Sequence, residues 1–200
     1  MIALIDYGIG NLRSVQKAFE HVGATVVLTE DADTILAADK VVLPGVGAFG
    51  DGMKGLRARG LDGVVCEVVR RGTPLLGICV GMQVLFEVSE ELGLHVGLGL
   101  LPGRGARFAP RQLKVPHTGW NEIATLQSSN LFRDLPSGSF AYFNHSYYCA
   151  AAPELTLAAT EYGGPFASVV GRGRLYGIQF HPEKSQAVGL TLLRNFVERG

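Results

Sequence analysis

Cysteine is scarce in this chain, and the few that occur are not spaced for a structural role. Cys66, Cys79 and Cys149 are an odd number, and none belongs to a Cys-x-x-Cys pair. Disulfide frameworks and structural zinc sites need paired or clustered cysteines, so the sequence predicts neither, and we expect no metal. A set of one reactive cysteine and two cysteines with only a packing role fits the pattern better.

An excess of charge of one sign and long apolar runs are also missing. The 18 basic and 18 acidic residues cancel, and no block of like charge could form a basic arm or an acidic tail, so nucleic acid is not an expected partner. No run reaches the ~18 apolar residues of a membrane span, and residues 1–6 lack the charged start of a signal peptide. We therefore expect a cytoplasmic protein with no membrane contact.

The apolar residues that are present suffice for one hydrophobic core. At 47% hydrophobic content, a single domain over residues 1–200 is expected rather than two. Apolar runs at residues 2–5, 24–28, 41–43 and 75–78 are predicted strands, and helical patterns lie between them. This alternation predicts an α/β fold of the flavodoxin-like kind, with a mostly parallel central sheet flanked by helices.

Beyond Leu92 the pattern changes, because glycines become dense and helical periodicity fades. Short β-rich runs follow at residues 107–108, 141–148, 155–160, 166–170 and 175–180. Runs of this kind predict a largely antiparallel extension of the sheet in the C-terminal half. A final helix is predicted over residues 185–197, where apolar residues recur at four-residue spacing.

Gly77-Ile78-Cys79-Val80-Gly81 joins the predicted strand 75–78 to a helix-compatible segment. A nucleophile between two such glycines is typical of a nucleophile elbow, a strained turn that exposes the reactive side chain. A helix N-terminus favours the thiolate form of cysteine. On this pentapeptide alone, a buried structural cysteine between packing glycines is an equally good interpretation.

Residues 45–50, Gly-Val-Gly-Ala-Phe-Gly, formally match the dinucleotide-binding pattern G-x-G-x-x-G. That pattern requires an acidic residue at the end of the next strand, about 20 residues on, whereas Asp62 and Glu67 fall in or beside a helical pattern. We therefore expect no nucleotide and no other cofactor. Closely spaced N–H groups facing a nucleophile suit an oxyanion hole, which makes Gly45, Val46 and Gly47 candidates; a tight strand-to-helix turn would look the same.

His181 is the best candidate for a base, because His181-Pro182-Glu183 follows a predicted strand that ends at Phe180. Alternate residues of an extended chain project to one side, so His181 and Glu183 can face one site. The carboxylate would hold the imidazole tautomer and stabilise its protonated form. Such a turn is more often structural by itself, but together with the elbow it favours a triad of Cys79, His181 and Glu183.

These motifs resemble those of the class I glutamine amidotransferases. Residues 77–83 resemble the nucleophile motif of that family, and residues 180–183 resemble its His-x-Glu motif. Further segments, at residues 6–12, 44–49, 119–121 and 181–185, resemble the family's glutaminase subunits that act with a (β/α)8-barrel cyclase in histidine biosynthesis. The resemblance covers the whole chain.

The resemblance implies that L-glutamine is hydrolysed to glutamate and ammonia, and that the ammonia passes to the cyclase within a heterodimer. It also implies an oxyanion hole of Val80 with Gly45, Val46 and Gly47. The matching glutamine-pocket positions are Gln83, Glu91, His145, Ser146 and Tyr147, and the matching interface positions are Asn11, Trp120, Tyr142 and Lys184. Family members have almost no glutaminase activity until the cyclase binds its ligand. We therefore expect the backbone amides of the glycine loop to be misaligned in the resting state.

Two alternatives stay open on the sequence. The chain could be a class I amidotransferase of another pathway or a related cysteine hydrolase. It could also be a binding module whose site has degenerated.

Overall fold

The computed structural model describes residues 1–108 and 113–200. The strands in these residues are β1 (Ile2–Ile5), β2 (Val26–Thr29), β3 (Lys40–Leu43), β4 (Leu75–Ile78), β5 (Phe86–Ser89), β6 (His95–Val96), β7 (Leu101–Arg107), β8 (His117–Thr125), β9 (Ser139–His145), β10 (Tyr147–Ala151), β11 (Thr156–Glu161), β12 (Pro165–Arg172) and β13 (Leu175–Ile178). The helices are α1 (Leu12–His21), α2 (Ala32–Leu36), α3 (Phe49–Ala58), α4 (Leu61–Arg70), α5 (Val80–Gln83) and α6 (Gln186–Arg199). Single 3-10 turns cover Asn130–Phe132, Pro153–Leu155 and Pro182–Lys184.

The main sheet has the strand order β2-β1-β3-β4-β13-β12-β11-β8-β9. Neighbours from β2 to β13 are parallel, whereas neighbours from β13 to β9 are antiparallel. The predicted α/β fold, a parallel sheet extended by antiparallel strands in the C-terminal half, is confirmed.

A second sheet, of order β10-β7-β5-β6, was not predicted. Its strand β7 contains glycines, which disfavour strands in general. Here they permit close approach, because a Cβ on Gly103 would lie 2.5 Å from the carbonyl oxygen of Ala150 and one on Gly105 would lie 2.7 Å from Ser89 Oγ. Gly103 and Gly105 therefore permit tight strand pairing, whereas Gly93, Gly97 and Gly99 lie outside the strands.

The helix-compatible segment predicted after the elbow forms a very short helix. Helix α5 is one turn, and the chain enters β5 at Phe86. The apolar residues after Gln83 therefore belong to the second sheet and its approach. A dipole argument for the thiolate is correspondingly weak, because the macrodipole needs several aligned turns.

Helix α1 buries Val15 and Phe19, the latter against Phe196 of α6 with ring centroids 6.3 Å apart. Asn11 occupies the N-cap position, but among the described residues its side chain makes no capping hydrogen bond. Gly23, with φ of +89°, follows the last turn, where a left-handed residue commonly ends a helix.

The carboxyl ends of β1, β3, β4 and β13 lie side by side, because these strands are parallel neighbours. Ligands and reacting groups in open α/β sheets gather at this edge. Across residues 1–108 and 113–200, none of the helices is long and apolar enough to cross a membrane.

Candidate active site

Cys79 follows β4 in a backbone conformation that L-residues rarely adopt, with φ of 54° and ψ of −111°. Its N–H donates to the carbonyl of Ile178 at 2.8 Å, so the elbow is tied to the neighbouring strand β13. Holding a non-glycine residue in such a region costs roughly 1–3 kcal/mol. The strained elbow predicted from the Gly-x-Cys-x-Gly run is therefore present.

The two glycines of the elbow serve different contacts. A Cβ on Gly77 would lie 2.6 Å from the carbonyl oxygen of Gly81, so Gly77 makes room for the turn itself. A Cβ on Gly81 would lie 1.9 Å from the carbonyl oxygen of Leu43, at the end of β3. Gly81 thus lets the backbone after β3 press directly against the elbow.

His181 and Glu183 lie on the same side of the chain, as alternation predicts. His181 is extended, with φ of −97° and ψ of 100°, and its Nδ1 is 3.0 Å from Glu183 Oε1. Both side chains are almost fully buried. With Nδ1 donating to the carboxylate, the other ring nitrogen, Nε2, is left for the nucleophile. The catalytic roles of these residues remain predictions.

The protonation of His181 depends on two competing effects. Burial lowers the pKa of His181, but hydrogen bonds to Cys79 and Glu183, and the negative charges of both, outweigh burial and raise the pKa to about 10. An imidazolium is therefore the favoured form at neutral pH. In that form His181 is ready to donate a proton to a leaving group.

A cavity of about 100 Å³ opens at this edge of the sheet. It is lined by Val46, Gly47, Cys79, Val80, Gln83, Glu91, Asn144, His145, Ser146, Tyr147, His181 and Lys184. The predicted nucleophile, the predicted base and all the predicted glutamine-pocket residues thus meet at one cavity. Gly45 and Glu183 are absent from this lining, Lys184 joins it although predicted for an interface, and Asn144 was not predicted.

The predicted oxyanion loop divides into a packed part and an open part. A Cβ on Gly45 would lie 2.7 Å both from the N–H nitrogen of Gly81 and from Tyr7 Oη, so Gly45 packs against the elbow. Gly47 has φ of +90°, and within the described residues a Cβ there would meet open space. Tyr7, which sequence reasoning missed, donates to the Pro44 carbonyl at 2.6 Å. Only the Val46–Gly47 part reaches the cavity, and its oxyanion role stays a prediction.

Glu91 links the cavity to α3, because its Oε2 accepts a hydrogen bond of 2.8 Å from the N–H of Phe49. Burial is the largest influence on this carboxyl; despite the Phe49 hydrogen bond, burial and the charge of Asp51 raise the pKa of Glu91. A half-buried carboxyl at the cavity wall suits an amino group of a ligand.

Two buried histidines stand beside the cavity. His145 Nδ1 is 2.8 Å from the Tyr147 carbonyl oxygen, and His145 Nε2 is 3.1 Å from His117 Nδ1. His117, not predicted as a site residue, stacks on Phe143 and Tyr162 with centroid distances of 4.9 and 3.9 Å. Burial lowers the pKa of His117 to about 4 and that of His145 to about 3.

These lowered pKa values predict acid destabilisation. In the unfolded chain the two histidines take up protons near pH 6.5, whereas in the folded chain they remain neutral down to about pH 4 and 3. Their stabilising contribution is therefore complete above pH 6.5 and is lost as the pH falls toward the folded values. We expect the free energy of unfolding, measured with urea, to fall by about 1.4 kcal/mol per pH unit for each histidine between about pH 6 and 4.

His117→Phe keeps an aromatic ring in the stack and should make this slope shallower by about one proton. The exposed His21 on α1 provides the control, since His21→Gln should keep the wild-type slope. Equal slopes in all three proteins would contradict the prediction.

Three of the predicted interface residues form a cluster, in which Trp120 and Lys184 are exposed and Tyr142 is half-buried. The rings of Trp120 and Tyr142 meet edge to face with centroids 6.1 Å apart, and Lys184 Nζ lies 5.6 Å from the centre of the Tyr142 ring. Trp120 is 47% exposed, while Asn11 is exposed separately at the start of α1. The Tyr142 carbonyl accepts from the N–H of His181 at 2.9 Å, so this surface adjoins the predicted base. Its role in binding a partner stays a prediction.

In the described residues, histidine, cysteine, aspartate and glutamate form no group of three or more that could hold a metal ion. Sequence reasoning also missed Gln179, whose Nε2 lies 3.7 Å from Cys79 Sγ. The alternation that pairs residues 181 and 183 would have placed residue 179 beside them.

Comparison with known proteins agrees with this geometry. Residues 3–199 match the family model "Glutamine amidotransferase class-I". The chain is 54% identical to imidazole glycerol phosphate synthase subunit HisH of Methanosarcina acetivorans, covering 98% of each chain. It is 52% identical to the HisH subunit of Moorella thermoacetica, covering 98% of this chain and 94% of the relative.

Among solved structures, a glutamine amidotransferase superposes with a TM-score of 0.77 at 19% identity, covering 99% of this chain and 98% of the other. PurLQS from Thermotoga maritima gives a TM-score of 0.75 at 16% identity, covering 98% of this chain and 96% of the other. At such identities these two structures support the fold alone.

Proposed function

Because the chain belongs to the class I glutamine amidotransferase family, we propose that it is the glutaminase subunit of an imidazole glycerol phosphate synthase. It hydrolyses L-glutamine to glutamate and ammonia. The observation that carries this proposal is the convergence of Cys79 and His181 on one cavity, with Glu183 hydrogen-bonded behind the imidazole. Identity of about half the residues to HisH subunits, over nearly the full length of both chains, supports the same assignment.

The proposed reaction begins when Cys79 Sγ attacks the carbonyl carbon of the glutamine side-chain amide. The C–N bond then breaks, its electron pair leaves with nitrogen, and His181 supplies the proton that completes ammonia. Water next attacks the thioester carbon while His181 takes a proton from it. The C–S bond breaks and its electron pair stays on sulfur, which releases glutamate and regenerates the Cys79 thiolate. Glu183 keeps the imidazole oriented through both halves.

Both tetrahedral intermediates carry an oxyanion that must be stabilised. The N–H of Val80 and one N–H of the Gly45–Gly47 loop are the proposed donors. Since Gly45 is packed between Gly81 and Tyr7, the adjustable donor would come from the part that reaches the cavity, Val46 and Gly47. Glu91, Gln83 and the segment 145–147 would hold the rest of the glutamine.

The proposed partner is a cyclase subunit of (β/α)8-barrel fold, which receives the ammonia and makes imidazole glycerol phosphate and AICAR. The word "subunit" in the names of the HisH relatives supports a partner. Trp120, Tyr142, Lys184 and Asn11 would contact it, since large aromatic side chains suit the centre of an interface. A single domain over residues 1–200 and a cytoplasmic location are parts of the same proposal.

The test is glutamate release by this chain alone and in a mixture with a candidate cyclase subunit and its ribonucleotide ligand. We expect weak release alone and an increase of about 100-fold or more in the mixture, because a resting oxyanion loop with misaligned donors costs about 2.7–4 kcal/mol of transition-state stabilisation. Imidazole glycerol phosphate should form in step with glutamate. Strong release by the isolated chain, unchanged by the mixture, would instead favour an amidotransferase of another pathway.

An interface variant sharpens this test. Trp120→Ala should reduce the stimulation by the cyclase about tenfold or more. Leu126→Ala is the matched control, because Leu126 is also exposed, at 60%. It lies directly after β8, and an extended strand places it about 20 Å from Trp120. Equal stimulation of both variants would contradict the proposed interface.

A further inference from the structure

Gln179 is a fully buried residue directly after β13 and two positions before His181. Its Nε2 lies 3.7 Å from Cys79 Sγ, a hydrogen-bonding distance for sulfur. The N–H of Gln179 itself is bound to the Ser168 carbonyl at 2.9 Å. The side chain is therefore held against the nucleophile by the same strand that carries the base.

The orientation of the Gln179 amide follows from Gln83. Gln83 Nε2 donates to the Tyr147 carbonyl at 3.0 Å, and a carbonyl only accepts, so the nitrogen of this amide is identified. The same nitrogen donates to Gln179 Oε1 at 3.1 Å. With its oxygen occupied in this way, Gln179 turns an N–H toward the sulfur. A donor in that position stabilises negative charge on the sulfur.

The Tyr147 carbonyl is fixed in turn by the histidine pair. Asn121 Nδ2 donates to the Glu161 carbonyl at 2.9 Å and faces His117 Nε2 at 3.2 Å. His117 must therefore carry its proton on Nδ1 and donate to His145 Nε2, so that His145 donates from Nδ1 to Tyr147. At each end of this series of hydrogen bonds stands a group that can act only as a donor or only as an acceptor. The direction of every hydrogen bond in the series is therefore determined.

We propose that Gln179 is a further residue of the active site, which donates a hydrogen bond to the sulfur of Cys79 and is held in place by Gln83 and the Tyr147 carbonyl. The proposal deepens the proposed glutaminase function and rests on it. While the thiolate attacks and is later regenerated, this N–H donates to the buried sulfur the hydrogen bond that water would otherwise supply. Loss of the donor should affect the chemical step and not the binding of glutamine.

The experiment compares wild type with Gln179→Met, which has a similar size but no donor, in the full chain. Labelling of Cys79 by iodoacetamide is followed across pH by mass spectrometry of its peptide, apart from those of Cys66 and Cys149. We expect the pH of half-maximal labelling to rise by about one unit. With the cyclase present, kcat should fall about 10- to 100-fold while KM changes less than about twofold.

Gln127→Met is the matched control, because the Gln127 amide is also held by hydrogen bonds, which it donates to the carbonyls of Pro153 and Thr156 at 2.9 and 2.8 Å, but Gln127 does not line the cavity. It should behave as wild type. A folded Gln179→Met protein with unchanged labelling and kcat would overturn the proposal. If that variant does not fold, Gln179→Glu is measured instead: its carboxylate should shift labelling upward more strongly, and an unchanged profile again overturns the proposal.

The two measurements separate this proposal from the proposed function. If the pH of half-maximal labelling shifts in the variant but the wild-type chain has no glutaminase activity, the Gln179 contact is supported and the proposed function is contradicted. Glutaminase activity with an unshifted labelling profile would do the reverse.

Discussion

Cys79→Ala is expected to abolish glutamine-dependent turnover, by a factor of about 10⁴ or more, since no covalent intermediate can form. No other thiol can substitute, because Cys149 is buried, at 1% exposure, in the second sheet and Cys66 lies on α4. The fold should survive, because alanine removes only the sulfur and its backbone meets the same strain at φ of 54°. With the cyclase and added ammonium salt, cyclase turnover should stay near the wild-type level.

The measurement is cyclase product formed with glutamine and, separately, with ammonium salt. Cys66→Ala serves as the control, because Cys66 is half-buried on α4 and does not line the cavity; it should retain both activities. Glutamine-dependent turnover that persists in Cys79→Ala would contradict the nucleophile assignment. Loss of both activities with normal folding would place the residue in the cyclase interaction instead.

Gly81→Ala is expected to cost about 3 kcal/mol or more of folding free energy. The added Cβ would lie 1.9 Å from the Leu43 carbonyl oxygen and 2.8 Å from its carbon, and backbone atoms cannot swing aside as a flexible side chain can. The loop after β3 must then move away from the elbow. Because a displacement of about 1 Å can cost about 100-fold in rate, glutaminase activity should fall at least that much even in folded protein.

Urea unfolding and glutamate release together test this expectation. Gly63→Ala is the matched control, since Gly63 is also helical and a Cβ there meets nothing within 4 Å in the described residues. It should gain about 0.5–1 kcal/mol, the usual preference of a helix for alanine. A Gly81→Ala protein as stable and active as wild type would show that the loop and elbow are not in contact.

The elements with strong local patterns were predictable from the sequence. Strand β4 has the predicted bounds 75–78, because a fully buried strand is a continuous apolar run bounded by turn residues. Helix α3 was not predicted as a separate element within the helical stretch before β4, because three of its ten residues are glycine, which local propensity disfavours. These glycines are explained by tertiary contacts, because a Cβ on Gly52 would lie 3.0 Å from Val80 and one on Gly55 would lie 2.7 Å from the Tyr7 carbonyl.

The candidate site divides in the same way. His181 and Glu183 were predictable because alternation along an extended chain is a local rule. Tyr7 was not, because its contact with Pro44 joins residues 37 apart and carries no periodic signal. The direction of the amides of Gln83 and Gln179 depends on the partners around them, which a sequence does not contain.

Strand β13 lies between β4 and β12 in the middle of the main sheet, although it is the last strand along the described chain. While the ribosome is still adding residues, β4 has an unpaired edge until residues 175–178 have emerged. The cysteine is synthesised about a hundred residues before the histidine and glutamate that follow β13, so a nascent chain carries a thiol with no base. Reactivity should therefore appear late in biogenesis, when this strand inserts, and the open β4 edge is the place where a stalled chain would be most prone to aggregate.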